Sequence, residues 1–596
     1  MNDQQREAVV HGDGPLLIIA GAGTGKTKVI TQRIAYLIAS KAAKPEEILA
    51  VTFTEKAASE MEERVDLLIP YSYSFVEIST FNSFGERVLR NYIHELGYFL
   101  DFKLLDEVEQ AIFFRENLFR FQLKYYRPLS SPTKHIQEIL SAIKRLKQED
   151  IKPGVYIEYA KKRMKQAADP AELEIAEKHL EMGLVYQKYQ KLLEDEGKID
   201  FEDQVVLVVD LFRKRPSVLR EFQEKYKYIL VDEFQDTNYI QFELLKLLAA
   251  NRNLTVVGDD DQSIFRFRGA SLSNIQSFRK VYPDAKKVVL ALNYRSTQDI
   301  LDSAYQLIQK NNPDRLEVRE NIDKRLKSTI ESDEKCIHLL QFDTLSHEAD
   351  KTAELILESV KEGYKYSDIA VLVRRNADAD PFLRALNMKE IPYRFSGSRG
   401  LYAQQEVKLL VSFLRALTDF EDSRSLFHLA LSDAYKVDPY DLTQLSNYAQ
   451  KKHLSLHQVL RLVNDGNHSF TLSAANETKV KKIFQDLLYF IQLAGSQNAG
   501  RVLYAFLERS GILKSLTEEG GLSGELKIKN IRLFFDKVRN FSDLSSDDSV
   551  YSFVHHLDLL QQVGDNPASA EAELEEEAVN ILTVHKAKGL EFPVVF

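Results

Sequence analysis

Short apolar runs alternate with helix-periodic stretches along the first half of the chain. Residues 28–39, for example, have the apolar spacing of a helix, and a run of four apolar residues precedes them. Apolar runs of this length are typical of parallel strands that are buried on both faces of a sheet. The pattern therefore predicts an α/β fold with strands at 16–19, 48–53, 228–231, 254–257 and 287–290.

Long helical stretches divide this α/β pattern. Residues 89–197 are charged, helix-periodic and poor in strand patterns, and the α/β pattern returns after 291, most clearly at 369–373. Residues 401–571 are again mainly helical, and a strand pattern follows at 579–584. We therefore predict a first α/β domain at 1–88 and 198–290, a helical insertion at 89–197, a second α/β domain at 291–400 and 572–596, and a second helical insertion at 401–571.

Three kinds of local segment complete this outline. Residues 396–400 (SGSRG) are predicted to be a hinge, and the acidic run 571–577 is predicted to be a solvated helix or linker. We predict that two basic clusters in the first insertion, 144–147 and 161–165, are solvated helix faces. Contact with DNA is the less favoured alternative for both.

Composition narrows the class of protein. The 596 residues include 79 Lys and Arg against 89 Asp and Glu, a net charge of −10, which excludes a uniformly basic nucleic-acid coat but allows a basic groove. Cys336 is the one cysteine, so neither an internal disulfide nor a zinc site built on a cysteine pair is expected. The polar start is unlike a signal peptide, and no apolar run reaches the ~18 residues of a membrane span. We expect a cytoplasmic protein without a membrane partner.

A glycine-rich sequence lies between the first predicted strand and the next helix. Its glycines let backbone N–H groups face a phosphate, and the helix N-terminus adds partial positive charge. In such a loop the lysine reaches the β- and γ-phosphates, and the adjacent hydroxyl ligates Mg²⁺. ATP and Mg²⁺ are therefore the predicted cofactors. The loop residues are Ala20, Gly21, Ala22, Gly23, Thr24, Gly25, Lys26 and Thr27, of which Thr27 is a predicted metal ligand.

Two carboxylates follow the apolar run at 228–231. Asp232 and Glu233 come at the C-terminal end of that predicted strand, the edge of an open α/β sheet at which ligands bind. Asp232 is predicted to hold Mg²⁺, and Glu233 to orient and deprotonate the attacking water. Either carboxylate alone is weak evidence, but together with the loop at 20–27 they predict a nucleoside triphosphatase.

Seven segments carry further motifs in a fixed order: 2–8 (NDQQREA), 52–58 (TFTEKAA), 80–84 (TFNSF), 232–237 (DEFQDT), 258–270 (GDDDQSIFRFRGA), 293–297 (NYRST) and 583–592 (TVHKAKGLEF). With these segments the chain resembles the UvrD/Rep/PcrA group of superfamily 1 DNA helicases along its whole length. The resemblance implies two RecA-like parallel-sheet domains, each with a large, mainly helical insertion.

The resemblance also implies roles at the nucleotide. Gln5 would read adenine, Tyr294 would stack on it, and Glu591 would lie near the ribose. Gln262 would sense the γ-phosphate, and Arg295 would reach that phosphate from the second lobe. Arg33 is a further candidate for cofactor binding. The catalytic candidates are then Lys26, Asp232, Glu233, Gln262 and Arg295.

A second group of residues would contact single-stranded DNA. Aromatic side chains stack on bases without sequence preference, as a motor requires, and arginines contact phosphates. For Phe84, packing in the core is favoured over contact with DNA. Arg268 would either contact phosphates or brace the nucleotide site. The DNA-binding candidates are Thr52, Thr54, Phe81, Asn82, Phe265, Phe267, Arg268 and His585.

The sequence departs from the family pattern in four respects. Glu55 and Asn82 stand where the family usually has Asn and His, and Phe267 stands where it usually has Trp. The family's sixth motif, which supplies a second γ-phosphate arginine, does not occur before Phe596. We therefore expect a fragment that binds ATP and DNA but hydrolyses ATP poorly.

The resemblance implies an ATP-dependent helicase or translocase that moves 3′→5′ on single-stranded DNA and unwinds duplex at single-strand/double-strand junctions. It would act in DNA repair or replication restart. Two alternatives remain open. The chain could be the motor subunit of a helicase–nuclease complex, or a nucleotide-gated DNA-binding scaffold with little turnover.

Overall fold

The computed structural model describes residues 1–69, 75–128, 130–264, 273–331, 335–395, 400–519, 521–545, 547–562 and 577–596. These form two compact units, Met1–Leu339 and Leu340–Phe596. Residues 396–399 of the expected hinge and 571–576 of the acidic run lie outside the described residues. Among the described helices, none combines the length and apolar character that a membrane crossing requires.

A six-stranded sheet forms the centre of the first unit. Its strands are β1 (Leu16–Ala20), β2 (Ile48–Thr52), β3 (Glu77–Thr80), β6 (Tyr228–Val231), β7 (Leu254–Gly258) and β8 (Lys286–Leu290). They lie in the order β3-β2-β6-β7-β1-β8, and every neighbouring pair is parallel. The predicted parallel sheet and its five predicted strands are confirmed, and β3 is an additional strand.

The sheet is buried on both faces. Successive side chains of a strand point to opposite faces, and in β1 Leu17 and Ile19 belong to one apolar core while Leu16 and Ile18 belong to another. All five residues of β1 are buried. The unbroken apolar runs in the sequence have this cause, because neither face of the sheet meets water.

Helices cover both faces and form the inserted segment. The first unit contains α1 (Asp3–Val9), α2 (Lys26–Ala39), α3 (Glu55–Leu68), α4 (Phe81–Tyr92), α5 (Glu107–Glu116), α6 (Ile136–Gln148), α7 (Pro153–Gln166), α8 (Pro170–Asp195), α9 (Asp203–Lys214), α10 (Pro216–Lys225), α11 (Tyr239–Leu248), α12 (Ser273–Val281), α13 (Gln298–Ile308) and α14 (Leu316–Arg319). The predicted helical character of residues 89–197 is confirmed by α5 to α8.

The inserted segment joins the first sheet domain through a short strand pair and a buried charge cluster. β4 (Lys103–Leu105) pairs in parallel with β5 (Lys198–Asp200). Beside β5, Nζ of Lys147 on α6 lies 2.6 Å from Asp200 and 2.8 Å from Asp203. The prediction of a solvated basic cluster at 144–147 is therefore wrong for Lys147, which is 1% exposed and whose ammonium pairs with the two buried acids. The charged side chains of 161–165 are exposed as predicted.

Residues 291–339 belong to the first compact unit. Within them β9 (Leu292–Asn293) pairs in parallel with β10 (Lys327–Ser328). The sequence assigned this segment to the second α/β domain, and the domain boundaries given above stay predictions.

The second unit has its own parallel sheet and a helical region. β11 (Ile369–Val373), β12 (Tyr393–Phe395), β13 (Val579–Thr583) and β14 (Val594–Val595) lie in the order β12-β13-β11-β14. The predicted strands at 369–373 and 579–584 are thereby confirmed. The helices are α15 (Leu345–Lys361), α16 (Asp380–Met388), α17 (Gln405–Thr418), α18 (Ser423–Leu431), α19 (Pro439–Lys452), α20 (Leu456–Asn464), α21 (Ala474–Ala494), α22 (Ala499–Arg509), α23 (Ile512–Glu519), α24 (Gly521–Leu544) and α25 (Val550–Gln562).

Candidate active site

The glycine-rich loop and the predicted carboxylates meet at one edge of the first sheet. β6, β7 and β1 are neighbours and run in the same direction, so their C-terminal ends lie side by side. The loop 21–25 follows β1, Asp232 and Glu233 follow β6, and the turn 259–262 follows β7. This edge is the general ligand site of open α/β sheets.

The loop leads directly into a helix N-terminus. Gly23 has a φ of 71°, in the left-handed region that favours glycine. The buried Thr24 hydroxyl donates to the Gly21 carbonyl at 2.8 Å and holds the turn closed. Gly25 immediately precedes α2, whose first N–H groups have no partner within the helix. A helix start of this kind attracts a phosphate.

Lys26 is the centre of a polar cluster. Its Nζ lies 3.0 Å from both carboxylate oxygens of Glu233 and 3.1 Å from Oε1 of Gln262. Burial lowers the pKa of Lys26, but the charges of Glu233 and Asp232 outweigh burial and leave that pKa above its usual value. Lys26 is therefore a cation next to the loop, and Glu233 is its counter-ion.

Thr27 and Asp232 form the pair that suits a divalent cation. The Thr27 hydroxyl donates to Oδ2 of Asp232 at 3.3 Å. Two oxygen ligands on one Mg²⁺ ion, each at 2.0–2.1 Å, stand about 3 Å apart, so this spacing fits. Burial, followed by the charge of Glu233, raises the pKa of Asp232 to about 6, and a bound cation would favour its ionised form.

Gln235 connects the carboxylates to the turn after β7. Its Nε2 donates to Glu233, and its Oε1 accepts from the Asp259 N–H at 3.0 Å. A Cβ atom on Gly258 would lie 2.7 Å from that Oε1, so a larger residue at this position would displace the Gln235 side chain. Gln235 lies inside the motif 232–237, but no role at the site was predicted for it.

Gln5 and Tyr294 flank the glycine-rich loop. Nε2 of Gln5 donates to the Thr24 carbonyl at 2.9 Å, and the backbone N–H of Tyr294 donates to the Gly23 carbonyl at 2.9 Å. Asn2 joins them, because it caps α1 and its Nδ2 donates to the Tyr294 hydroxyl at 2.9 Å. Two residues predicted to bind the nucleotide base are thus next to the loop, and Asn2 is a further neighbour that the sequence analysis did not predict.

The two arginines predicted at the nucleotide lie in different environments. A Cβ atom on Gly23 would come within 2.7 Å of Cβ of Arg295, so Arg295 lies against the loop. Arg33 is buried, and its guanidinium donates to Oγ1 of Thr255 and to the carbonyls of residues 8, 9, 11 and 12. Arg33 therefore fixes the chain after α1, and its nucleotide contact stays a prediction.

The predicted DNA contacts in the first unit are only partly accessible. Thr54 is exposed and caps α3 through the Ala57 N–H at 3.1 Å, whereas Thr52 is buried. Asn82 is partly buried and donates to the Phe201 carbonyl and to Gln204.

The position of Phe81 does not fit its predicted contact with DNA. Its side chain is 3% exposed and belongs to the apolar core, which leaves no ring face for a base. The strand β3 ends at Thr80, and α4 begins at Phe81 and turns that ring inward. Phe84, expected in the core, is confirmed there, with its ring 6.2 Å from those of Phe222 and Tyr226.

Other candidate residues cannot be placed at this site. Phe265, Phe267 and Arg268 lie outside the described residues. His585 and Glu591 belong to the second unit, where Nδ1 of His585 is 3.5 Å from the Arg374 guanidinium and Glu591 is exposed. Their roles at DNA and at the ribose stay predictions.

Comparison with known proteins gives consistent matches over the chain. A family model described as the UvrD/REP helicase N-terminal domain matches residues 1–283, and one described as the UvrD-like helicase C-terminal domain matches residues 288–596. The chain is 34% identical to the ATP-dependent DNA helicase PcrA of Staphylococcus aureus (strain Mu50 / ATCC 700699) over 609 residues, covering 100% of this chain and 77% of the relative. It is 32% identical, with the same coverage, to the ATP-dependent DNA helicase PcrA of Staphylococcus epidermidis (strain ATCC 12228 / FDA PCI 1200).

Proposed function

The chain belongs to the UvrD/REP helicase family, and from this premise we propose that it is an ATP-dependent DNA helicase whose hydrolytic site is the edge of the first sheet described above. The observation that carries the proposal is the convergence of Glu233 and Gln262 on Nζ of Lys26, at 3.0 and 3.1 Å, beside the pair formed by Thr27 and Asp232. These residues come from three separate strand ends and supply the groups that phosphoryl transfer needs.

Each residue has a role that follows from its position. The loop N–H groups and Lys26 bind the phosphates, and Glu233 orients and deprotonates the attacking water. Gln262, which already contacts Lys26, responds to the γ-phosphate. Thr27 and Asp232 would hold Mg²⁺, which neutralises phosphate charge when bound.

Lys26 and Glu233 form an ion pair at this site. A γ-phosphate at the helix N-terminus attracts the Lys26 ammonium, and Glu233 then loses its counter-ion. The Glu233 carboxylate becomes available to a water molecule at the moment when the substrate is in place. Substrate binding and activation of the base are therefore one exchange of ion pairs.

Gln5 and Tyr294 would contact the adenine, because both are fixed to the loop by hydrogen bonds. Arg295 and Glu591 would complete the nucleotide site, and the exposed Thr54 would lie on the DNA path. ATP-dependent closure of the two α/β domains would then advance the protein 3′→5′ along single-stranded DNA. We further propose that it acts at single-strand/double-strand junctions in DNA repair or replication restart.

A paired assay tests the proposal. ATP hydrolysis is measured with and without single-stranded DNA for the wild type and for Lys26→Ala, and unwinding is measured on duplexes with a 3′ or a 5′ single-stranded tail. We expect slow hydrolysis that single-stranded DNA stimulates, together with unwinding of the 3′-tailed duplex, by the wild type, and neither activity by Lys26→Ala. Nucleotide-dependent DNA binding without turnover would instead support a scaffold, and unwinding from the 5′ tail would refute the direction.

A further inference from the structure

The turn after β7 contains three consecutive carboxylates that surround a lysine. Oxygens of Asp259, Asp260 and Asp261 lie within 4.8 Å of one another, a spacing that would suit a metal ion. Nζ of Lys324 lies 2.6, 2.5 and 2.9 Å from these three side chains in turn. The Lys324 side chain is 5% exposed, so its ammonium is a buried internal cation in the position that a metal would need.

The same segment of chain holds the turn at two more points. Arg315 forms a two-pronged ion pair with Asp261, with nitrogen–oxygen distances of 2.8 and 2.7 Å. The N–H of Leu316, the first residue of α14, donates to Asp260 at 2.7 Å. Residues 315–324 thus contact all three carboxylates, and we call this segment the clamp.

The clamp is connected to the hydrolytic site by a short chain of hydrogen bonds. Oδ1 of Asp259 accepts from Lys324, and Oδ2 accepts from Nε2 of Gln262 at 2.8 Å. This second bond orients the Gln262 amide, because the nitrogen end faces Asp259 and Oε1 faces Lys26 at 3.1 Å. A rotation of Asp259 would release that orientation.

We propose that Lys324 is a positioning residue for ATP hydrolysis, which acts by fixing Asp259 and through it Gln262. The inference rests on the function proposed above. Without the Lys324 ammonium, less positive charge lies next to the three carboxylates, and they repel one another in a buried environment. Asp259 then loses the orientation in which one oxygen holds the Gln262 amide. Residues that bind the phosphates directly, such as Lys26, keep their contacts.

The test compares four variants in DNA-stimulated ATP hydrolysis at saturating DNA: Lys324→Gln, Gln262→Ala, the double variant, and Lys287→Gln. Lys287 is the matched control, because it pairs with Glu320 at 3.2 Å and so ties the clamp to β8 without touching the aspartates. We expect Lys324→Gln to lower kcat about ten- to a hundredfold, as misplacement of a catalytic group does, and to leave the KM for ATP within about twofold. Lys287→Gln should keep the wild-type kcat.

The double variant distinguishes positioning from a general structural effect. If Lys324 acts through Gln262, adding Lys324→Gln to Gln262→Ala changes kcat no further. Losses that multiply in the double variant would overturn the inference, as would an unchanged kcat in Lys324→Gln. Should Lys324→Gln fail to fold, Asp259→Asn, combined in the same way with Gln262→Ala, supplies the same test. A wild type without DNA-stimulated hydrolysis would overturn the proposed function and this inference with it, whereas an active wild type with an equally active Lys324→Gln would overturn this inference alone.

Discussion

Replacing Glu233 by Gln separates nucleotide binding from hydrolysis. The carboxylate lies 3.0 Å from Nζ of Lys26, so their direct Coulomb attraction is about 5.5 kcal/mol at an effective dielectric constant of 20. Desolvation offsets most of that attraction, and we assign a net value of about 1.4 kcal/mol, which corresponds to tenfold in an equilibrium constant. The Glu233→Gln side chain keeps the size but loses the charge, so Lys26 has no carboxylate to exchange for a phosphate.

Two opposite changes are therefore expected in Glu233→Gln. The affinity for ATP should rise about tenfold, because Lys26 no longer gives up an ion pair. The kcat should fall about 10²- to 10⁴-fold, because the general base is lost. Fluorescent-nucleotide titration measures the first change, and steady-state hydrolysis with saturating single-stranded DNA measures the second.

Glu60→Gln is the matched control for this experiment. Glu60 is an exposed glutamate of the same unit, paired with Arg64 at 3.7 Å, and its loss should change neither quantity. A Glu233→Gln variant that binds ATP more weakly than the wild type would refute the ion-pair exchange. A kcat within threefold of the wild type would refute the role of Glu233 as the base.

Three further predictions address stability and local geometry. Burial, and then the charge of Asp203, raises the pKa of Asp200 from 3.8 to about 7, so the folded state holds a proton that the unfolded state has lost between those pH values. The contribution of this group to the free energy of unfolding therefore falls as pH rises from 4 to 7. In urea unfolding, Asp200→Asn should gain stability relative to the wild type between pH 5 and pH 7.5. A stability difference that does not change with pH would contradict this prediction. Gly258→Ala should lower kcat by displacing Gln235, with Gly12→Ala, which has open space around it, as the control in the same assay. Phe81→Ala should reduce the free energy of unfolding by about 3–5 kcal/mol while the folded protein keeps its DNA affinity, and a selective loss of DNA binding would restore the stacking role.

The sequence was most informative where functional residues directly follow a strand in the chain. The glycine-rich loop and the carboxylates at 232–233 could be predicted because each directly follows an apolar run, and parallel strands bring their ends to one edge. Side-chain direction at a strand–helix junction was not predictable in this way. Phe81 has an aromatic ring of the kind that stacks on bases. Its ring points into the core because α4 begins at this residue, and the sequence does not show that direction.

Long-range ion pairs were beyond the sequence for a related reason. Lys147 and Asp200 are 53 residues apart, and Lys324 and Asp259 are 65 apart. Nothing in the local pattern distinguishes a lysine that will be buried among carboxylates from one on a solvated surface, because both lie in charged sequence. Tertiary packing alone selects between them.

The cluster of Lys147 with Asp200 and Asp203 has a consequence for protein engineering. Lys147 lies within the inserted segment, whereas both aspartates lie just after the chain has returned toward the first sheet. A shortened protein in which residues 89–197 are replaced by a brief linker would lose the lysine and keep two neighbouring acids without that cation. The insertion therefore cannot be removed without affecting the first sheet domain. A deletion intended to probe its contact with DNA would also have to replace both aspartates by uncharged residues.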